Sequence, residues 1–227
     1  GLAVAGKMES QLRGINMSIR NAQDGVGLIQ TAESGLNEIR NMVLRIRELA
    51  VQMANGIYEN TPDRSNAQLE VTALINQVTL IAENTRFNDV AVLDGSFTGV
   101  TIQAGNTTSE TITLSFVDVA SSGLSIHNAT VATQSDATVA MGTMDTALTT
   151  ISQEQAKFGS LINRLNYSIA NQSNASVMTE QAIGRVMDSD FAAETTNLSK
   201  QQILNQAATS MLAQANQSKQ SILALLQ

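Results

Sequence analysis

Residues Ile29–Met53 read IQTAESGLNEIRNMVLRIRELAVQM, and apolar side chains recur along this stretch at alternating steps of three and four residues. That spacing places them on one side of an α-helix, in the a and d positions of a coiled coil. Such a narrow apolar seam predicts a second long helix packed nearly parallel to it. The seam consists of Ile29, Ala32, Leu36, Ile39, Val43, Ile46, Ala50 and Met53.

Composition favours a helix bundle and argues against several classes of function. The 227 residues are 43% hydrophobic but only 3% aromatic, with a single proline, so aliphatic side chains must build the core and helices can run without interruption. The net charge of −7, without any basic cluster, argues against nucleic-acid binding. The absence of cysteine excludes disulfides and thiolate metal sites.

The beginning of the chain, GLAVAGKM, has no signal-peptide core, and no apolar run reaches the ~18 residues of a membrane span. We therefore predict no membrane insertion, and secretion, if it occurs, by a route without such a signal. Because the chain enters an apolar seam without a helix cap, we expect an N-terminal segment to be missing.

The first helix is predicted to extend well before Ile29, because Met8 starts a seam with the same spacing. Its rhythm changes beside two glycines, which predicts a bend or short break near Asp24–Gly27. Asn55-Gly56 predicts a left-handed cap at its end. Thr61-Pro62-Asp63 then predicts the start of a shorter, antiparallel helix, with Thr61 as its N-cap.

The periodicity changes after Phe87 from helical to alternating. Alternation predicts two strands, Val100–Gln103 and Thr111–Phe116, in a small β-region over residues 96–134. A helix should then begin with Ser135 or Asp136 as its N-cap and run to about Val186, with looser packing where its seam turns polar.

The polar run Met187–Asp190 predicts an interruption before the last amphipathic segment, residues 187–227. No remaining helix in the chain can cover the apolar stripe of this terminal segment. An unpaired stripe of that length normally marks an interface. The stripe comprises Leu204, Ala208, Met211, Ala215, Ser218, Ile222 and Leu225, with Leu226 beside them.

Catalytic or metal chemistry finds little support in the sequence. His127 is the only histidine and lies in the Ser/Thr-rich β-region, where it is interpreted as a surface residue. The spacing of Asp188, Asp190 and Glu194 does not match a calcium loop, so we interpret them as helix-capping residues. We therefore predict neither an enzyme nor a cofactor.

The outer side of the first helix around Arg45, Arg47 and Glu48 has two interpretations from the residues alone. It is either a solvated face with weak ion pairs or a protein-contact face. Leu49 lies off the seam, so Leu49→Asp is expected to spare folding of the monomer, whereas Ile46→Asp should destabilise it.

Three long blocks of the sequence resemble bacterial flagellin. They are GLNEIRNMVLRIRELAVQMANG (Gly35–Gly56), ENTRFNDVAVLDG (Glu83–Gly95), and the run from Phe158 to Gln227 that begins FGSLINRLNYSIANQSNASVMTEQAIGRVMDSDFAAETTNLSK. The blocks stand in family order and cover nearly the whole chain except the middle. Asn88-Asp89 stands where the family commonly has Asn-Gly.

The resemblance implies a mainly α protein, an elongated bundle of long coiled-coil-like helices with a small β-hairpin region and a C-terminal amphipathic helix. Residues 1–186 would be the helical rod core domain and residues 187–227 the segment that polymerises along the inner tube. The implied function is a structural, self-assembling subunit of the extracellular flagellar filament, exported by the type III route.

The implied partners are other flagellin subunits, an export chaperone, hook-associated and cap proteins, and an innate immune Toll-like receptor. By resemblance, subunits and the receptor would meet a contact face made of Arg45, Arg47, Glu48, Leu49 and Glu70. The resemblance therefore favours the protein-contact interpretation of this face over the solvated one. A hook–filament junction protein and an adhesin using the β-region remain the competing hypotheses.

Overall fold

The computed structural model describes the backbone of residues 1–225 and the side chains of residues 1–188 and 191–219. Residues Gly14–Asn174 form one compact unit, and Gly1–Arg13 together with the chain from Ala175 onward form another. In chain order the elements are α1 (Leu2–Met53), a π-helical turn (Asn60–Arg64), α2 (Ser65–Asn84), β1 (Arg86–Phe87), β2 (Val90–Ala91), β3 (Val100–Gln103), β4 (Thr111–Leu114) and α3 (Gln134–Leu225).

The apolar seam of α1 is the centre of the core, as the spacing predicts. Every member from Ile29 to Ala50 is fully buried, and Met53 is 3% exposed. These side chains form one cluster with buried residues of α2, of the β-region and of α3 up to Leu165. Helix α2 runs antiparallel to α1, because Arg45 contacts Glu70 while Gly35 lies against Thr85.

The predicted break in α1 near Asp24–Gly27 is wrong, since the helix is continuous from Leu2 to Met53. Gly25 is buried, and a Cβ at this position would lie 3.4 Å from side-chain carbons of both Ile102 and Leu165. The glycine therefore provides room for close packing, and that packing offsets its low helix propensity.

The left-handed cap predicted at Asn55-Gly56 is also absent. Positive backbone φ angles among the described residues occur only at Asn88, Asp89, Gly95, Gly99 and Ser125. Helix α1 nevertheless ends beside the predicted position, at Met53. The carbonyl of its last residue, Met53, accepts a hydrogen bond from the side chain of Arg64 instead.

The start of α2 differs from the prediction as well. Thr61 has extended φ and ψ angles of −137° and 125° and lies inside the π-helical turn, not at the N-cap of α2. Helix α2 begins at Ser65, whose hydroxyl donates a hydrogen bond to the Pro62 carbonyl over 2.9 Å. Apolar side chains of α2 face the core, with Val71 and Val78 fully buried.

Strands β3 and β4 confirm the predicted hairpin. They pair antiparallel, with Val100 opposite Leu114 and Gln103 opposite Thr111. The second strand ends at Leu114 because Phe116 turns away, and its N–H donates to the carbonyl of Phe97 over 3.0 Å. The shorter hairpin β1–β2 was not predicted. Its turn residues Asn88 and Asp89 have φ angles of 49° and 64°, as a type I′ turn requires.

The β-region joins the core of the first unit through aromatic rings. The rings of Phe97 and Phe116 stack at 4.9 Å, and Phe116 meets Phe158 of α3 edge-on at 4.7 Å. All three side chains are buried. The hairpins are therefore packed onto the helices of this unit.

Helix α3 begins at Gln134 and continues past Met187–Asp190, so the predicted interruption is wrong. Asp and Ser cost a helix only a few tenths of a kcal/mol each relative to Ala, too little to break it. Its N-cap is Thr133, whose hydroxyl accepts from the Asp136 N–H at 3.1 Å and donates to that carboxylate at 2.7 Å. The predicted N-caps Ser135 and Asp136 therefore lie inside the helix.

Packing along α3 loosens where its seam turns polar, as predicted. Leu165 is the last buried side chain of α3 among the described residues. In the described part of the chain, no helix carries an apolar run long enough to cross a membrane.

Candidate subunit-contact surfaces

The contact face centres on Arg45, which reaches from α1 to α2. Its Nε lies 2.8 Å from Glu70 Oε1, and its Nη1 lies 3.3 Å from Glu48 Oε2. The hydrogen bond to Glu70, followed by that to Glu48, raises the pKa of Arg45 above its usual value. Because all three side chains are exposed, these ion pairs hold the local geometry more than they stabilise the fold.

Arg47 pairs with α3, whereas Arg45 pairs with α2. Its Nε lies 2.5 Å from Asp145 Oδ1 and its Nη2 lies 3.5 Å from Oδ2, so it bridges α1 and α3. The hydrogen bond to Asp145 raises the pKa of Arg47. The structure therefore brings Arg45, Glu48 and Glu70 together and pairs Arg47 with a residue that the sequence did not single out.

Leu49 is a correction to the sequence-based prediction. It is only 4% exposed and belongs to the same core cluster as the fully buried Ile46. The side of α1 that α2 covers extends beyond the seam and includes Leu49. The expectation that Leu49→Asp would spare folding is therefore wrong, and this residue forms the floor of the face.

A shallow depression of about 340 Å³ opens at this position between α1 and α2. Arg45 and Glu70 supply opposite charges at it, and Gln52 and Tyr58 supply polar groups linked at 3.4 Å. Charge, amide and phenol groups around an apolar floor are features of a protein-recognition surface.

Arg64 fixes the end of α1 beneath this depression. It is 3% exposed, and its guanidinium donates to the carbonyls of Met53 and Asn55 at 2.9 Å each and to Asn60 Oδ1 at 3.0 Å. A further hydrogen bond goes to the Tyr58 carbonyl. A cation at a helix C-terminus also matches the helix dipole. Sequence reasoning missed this residue.

The second candidate surface is the terminal segment. Every described side chain from Phe191 to Lys219 is exposed, including Leu204 at 52% and Met211 at 72%. Ala208 and Ala215 of the predicted stripe are exposed as well. The side chains of Ile222 and Leu225, and all of Leu226, lie outside the described residues.

The start of the chain contributes to the same unit. Leu2 of α1 shares a cavity of about 470 Å³ with Met187, Phe191, Ala193 and Glu194 of α3. Leu2 is 77% exposed and Phe191 61%, so the apolar lining of this cavity is open to solvent.

Reactive groups are sparse in the described residues. His127 is exposed, with its Nε2 at 2.9 Å from the side-chain amide of Asn128. No three His, Cys, Asp or Glu side chains in the described part lie together as a metal site.

Comparison with known families decides what kind of protein carries these surfaces. The family model of the bacterial flagellin N-terminal helical region matches residues 1–98, and that of the C-terminal helical region matches residues 141–226. The chain belongs to the bacterial flagellin family. As a flagellin it is a structural subunit of the flagellar filament, and its mainly helical fold agrees with that of its relatives.

Individual flagellins match over the whole chain. A flagellin of Halalkalibacterium halodurans is 38% identical over 232 residues, covering 100% of this chain and 84% of its own. The flagellar filament 33 kDa core protein of Treponema phagedenis is 39% identical over 244 residues, with the same coverage.

Solved structures agree with these sequence matches. The crystal structure of Bacillus cereus flagellin has 32% identity and a TM-score of 0.61 over 67% of this chain and 88% of its own. A flagellar hook-associated protein of Vibrio parahaemolyticus reaches a TM-score of 0.67 over 81% of this chain and 96% of its own, but at 11% identity the likeness concerns the fold alone. The junction-protein hypothesis gains nothing from it.

Proposed function

We propose that this flagellin polymerises through the apolar side chains of its terminal segment, residues 187–227, while residues 1–186 form the core domain. The observation behind this proposal is the full exposure of the helix from Phe191 to Lys219. Six large apolar side chains there are more than half exposed. They are Phe191, Leu198, Ile203, Leu204, Met211 and Leu212.

Energetics favour burial of these side chains between copies. Removing one Leu, Ile or Met side chain from water stabilises by about 1.5–3 kcal/mol. Isolated helices are marginal in water without packing. Several such side chains on one helix therefore favour assembly with further copies of the chain, and other flagellin subunits are the partners in the homopolymer.

The contact face plays a secondary role in the proposal. Arg45 and Glu70 hold each other at 2.8 Å, and Arg47 is held by Asp145, so the charges face a neighbouring subunit in a fixed arrangement. Fixed charges give register and specificity more than affinity. Leu49 shapes this face from below, because its side chain is buried.

The family resemblance supports further partners for the same surfaces. An export chaperone would cover the terminal segment before secretion through the type III route, and hook-associated and cap proteins would meet it at the filament ends. The filament would lie outside the cell. A Toll-like receptor would bind the contact face; a reporter-cell assay with Arg45→Ala tests this, and an unchanged response would argue against it.

Paired substitutions test polymerisation through the terminal segment. Leu204→Asp and Met211→Asp should abolish sedimentable filaments without changing the melting temperature of residues 14–174. Val139→Asp is the matched control, because Val139 is 67% exposed on the same helix but lies in the other unit. If the control and the Met211 variant assemble equally well, the terminal segment is not the polymerisation surface.

A further inference from the structure

We propose that Asn55, at the end of α1, is a site of spontaneous deamidation in the folded chain, and that Arg64 directs the reaction toward isoaspartate. The inference concerns the chemistry of the turn and does not depend on the proposed function. Asn55-Gly56 is the only Asn-Gly pair in the sequence. Both residues are exposed, so water and hydroxide reach them.

The backbone around Gly56 suits an attack on the Asn55 side chain. Asn55 Oδ1 accepts a hydrogen bond from the Ile57 N–H at 3.2 Å, which folds the carboxamide back over the amides that follow it. The Gly56 N–H makes no hydrogen bond within the described part of the chain. Glycine also has no Cβ to obstruct ring closure.

Ring closure balances without any added reagent. The Gly56 amide nitrogen gives its proton to hydroxide or water and bonds to Asn55 Cγ, which places negative charge on Oδ1. The Ile57 N–H already donates to that oxygen and stabilises the charge. The Cγ–Nδ2 bond then breaks, and the nitrogen takes up a proton and leaves as ammonia, so a succinimide remains.

Arg64 governs how water reopens the succinimide. Its Nη2 lies 2.9 Å from the main-chain carbonyl oxygen of Asn55. This donor draws electrons from that carbonyl, so water adds there and the bond from that carbonyl carbon to the Gly56 nitrogen breaks. The chain then runs through Cγ, and the former main-chain carbonyl becomes a carboxylate beside the buried guanidinium, a charge-assisted pair.

Asp94-Gly95 provides an internal comparison within the same molecule. Asp94 Oδ1 accepts from the Ser96 N–H at 3.0 Å, the same side-chain contact to the second residue onward, although Gly95 has a φ of +81° and Gly56 does not share this conformation. The hydroxyl and N–H of Ser96 lower the pKa of Asp94, so its side chain stays ionised and has no amide to lose. A succinimide at Asp94 would have to form by expelling an oxygen from an ionised carboxylate, so it should form more slowly there than at Asn55, which loses ammonia.

Peptide mass spectrometry of the purified chain in ¹⁸O-water tests the proposal. In mildly alkaline buffer, ¹⁸O should enter at Asn55 faster than at any other asparagine. In mildly acidic buffer, labelling of Asn55 should be slower. Gly56→Ala should slow the reaction about fivefold, the factor that about 1 kcal/mol of added barrier gives. The isoaspartate share should be higher in the folded chain than in the same chain in urea.

Two results would overturn the proposal. An Asn55 that stays intact in the folded chain while it reacts in urea would show that the turn protects the residue. An isoaspartate share that is equal in folded and urea-treated chains would remove the role of Arg64.

Discussion

Replacing Arg64 with alanine probes the turn that joins α1 to α2. In the folded chain all three guanidinium nitrogens are used, on the carbonyls of Met53, Asn55 and Tyr58 and on Asn60 Oδ1. Alanine removes every one of these donors. The carbonyl of Met53 at the end of α1, and the acceptors of Asn55, Tyr58 and Asn60 in the turn, would then lose these charged donors.

The expected loss of stability follows from the number of hydrogen bonds that Arg64→Ala removes. A hydrogen bond from a charged group contributes about 1 kcal/mol or more, and a buried acceptor left unpaired costs a similar amount. Four acceptors therefore predict a loss of about 3–5 kcal/mol in the free energy of unfolding of residues 14–174. For a unit of this size that corresponds to a fall in melting temperature of about 6–20 °C.

Urea and thermal unfolding, followed by the helical circular-dichroism signal, measure this loss. Arg64→Lys keeps the charge but cannot reach all four acceptors, so it should fall between the wild type and Arg64→Ala. Arg40→Ala is the matched control, because Arg40 is exposed on α1, the helix whose last carbonyl, that of Met53, Arg64 caps. If Arg64→Ala and Arg40→Ala differ by less than about 1 kcal/mol, the capping role assigned to Arg64 is wrong.

Three further predictions follow from burial and hydrogen bonding. Leu49→Ala should lower the free energy of unfolding, measured in urea, by about 2–4 kcal/mol, because the side chain is buried. Val51→Ala, at a position 45% exposed, should lower it by less than about 0.5 kcal/mol. Equal losses would contradict the burial of Leu49. Because Ser96 lowers the pKa of Asp94, this carboxylate stabilises the fold above about pH 4, and its contribution is lost as the pH falls through the lowered pKa. Asp94→Asn should therefore make the free energy of unfolding depend less on pH on the acid side. An unchanged dependence in this variant would count against the Asp94–Ser96 interaction. Hydrogen exchange in dilute monomer should be faster at residues 191–219 than in the buried seam, and strong protection there would show that the segment packs without a partner.

Local periodicity was sufficient for the core of the fold. The seam residues Ile39, Val43 and Ile46 are fully buried because their spacing matches the turn of a helix whatever the partner is. The alternation that starts at Val100 and at Thr111 placed both hairpin strands at the residue where they begin. Signals of this kind depend only on neighbours in sequence.

Features that depend on distant residues were missed or misplaced. Leu49 was assigned to the surface because the seam alone does not show that α2 covers a wider part of α1. Gly25 suggested a break because the sequence does not show that the side chains of Ile102 and Leu165, which are remote in sequence, pack against it. Both outcomes were decided by packing between elements.

The candidate contact face also combines contacts that local spacing predicts with contacts between residues distant in sequence. The pair Arg45–Glu48 is visible from helical spacing, and Glu70 entered only through the family resemblance. The partner of Arg47, Asp145, lies 98 residues away, and no local pattern marks it. The four acceptors of Arg64 are mostly main-chain carbonyls, which every residue carries, so the sequence held no signal for them.

Cysteine labelling gives the most direct test of polymerisation through the terminal segment. The sequence contains no cysteine, so Met211→Cys carries the only thiol in the chain. The full-length protein should react with a maleimide at this position as a monomer and become protected in filaments, while Val139→Cys reacts in the monomer and keeps more of its reactivity on assembly. Protection of Cys at 211 only in filaments is the result expected here. Equal labelling of that position in monomer and filament would contradict the claim that the terminal segment is the assembly surface.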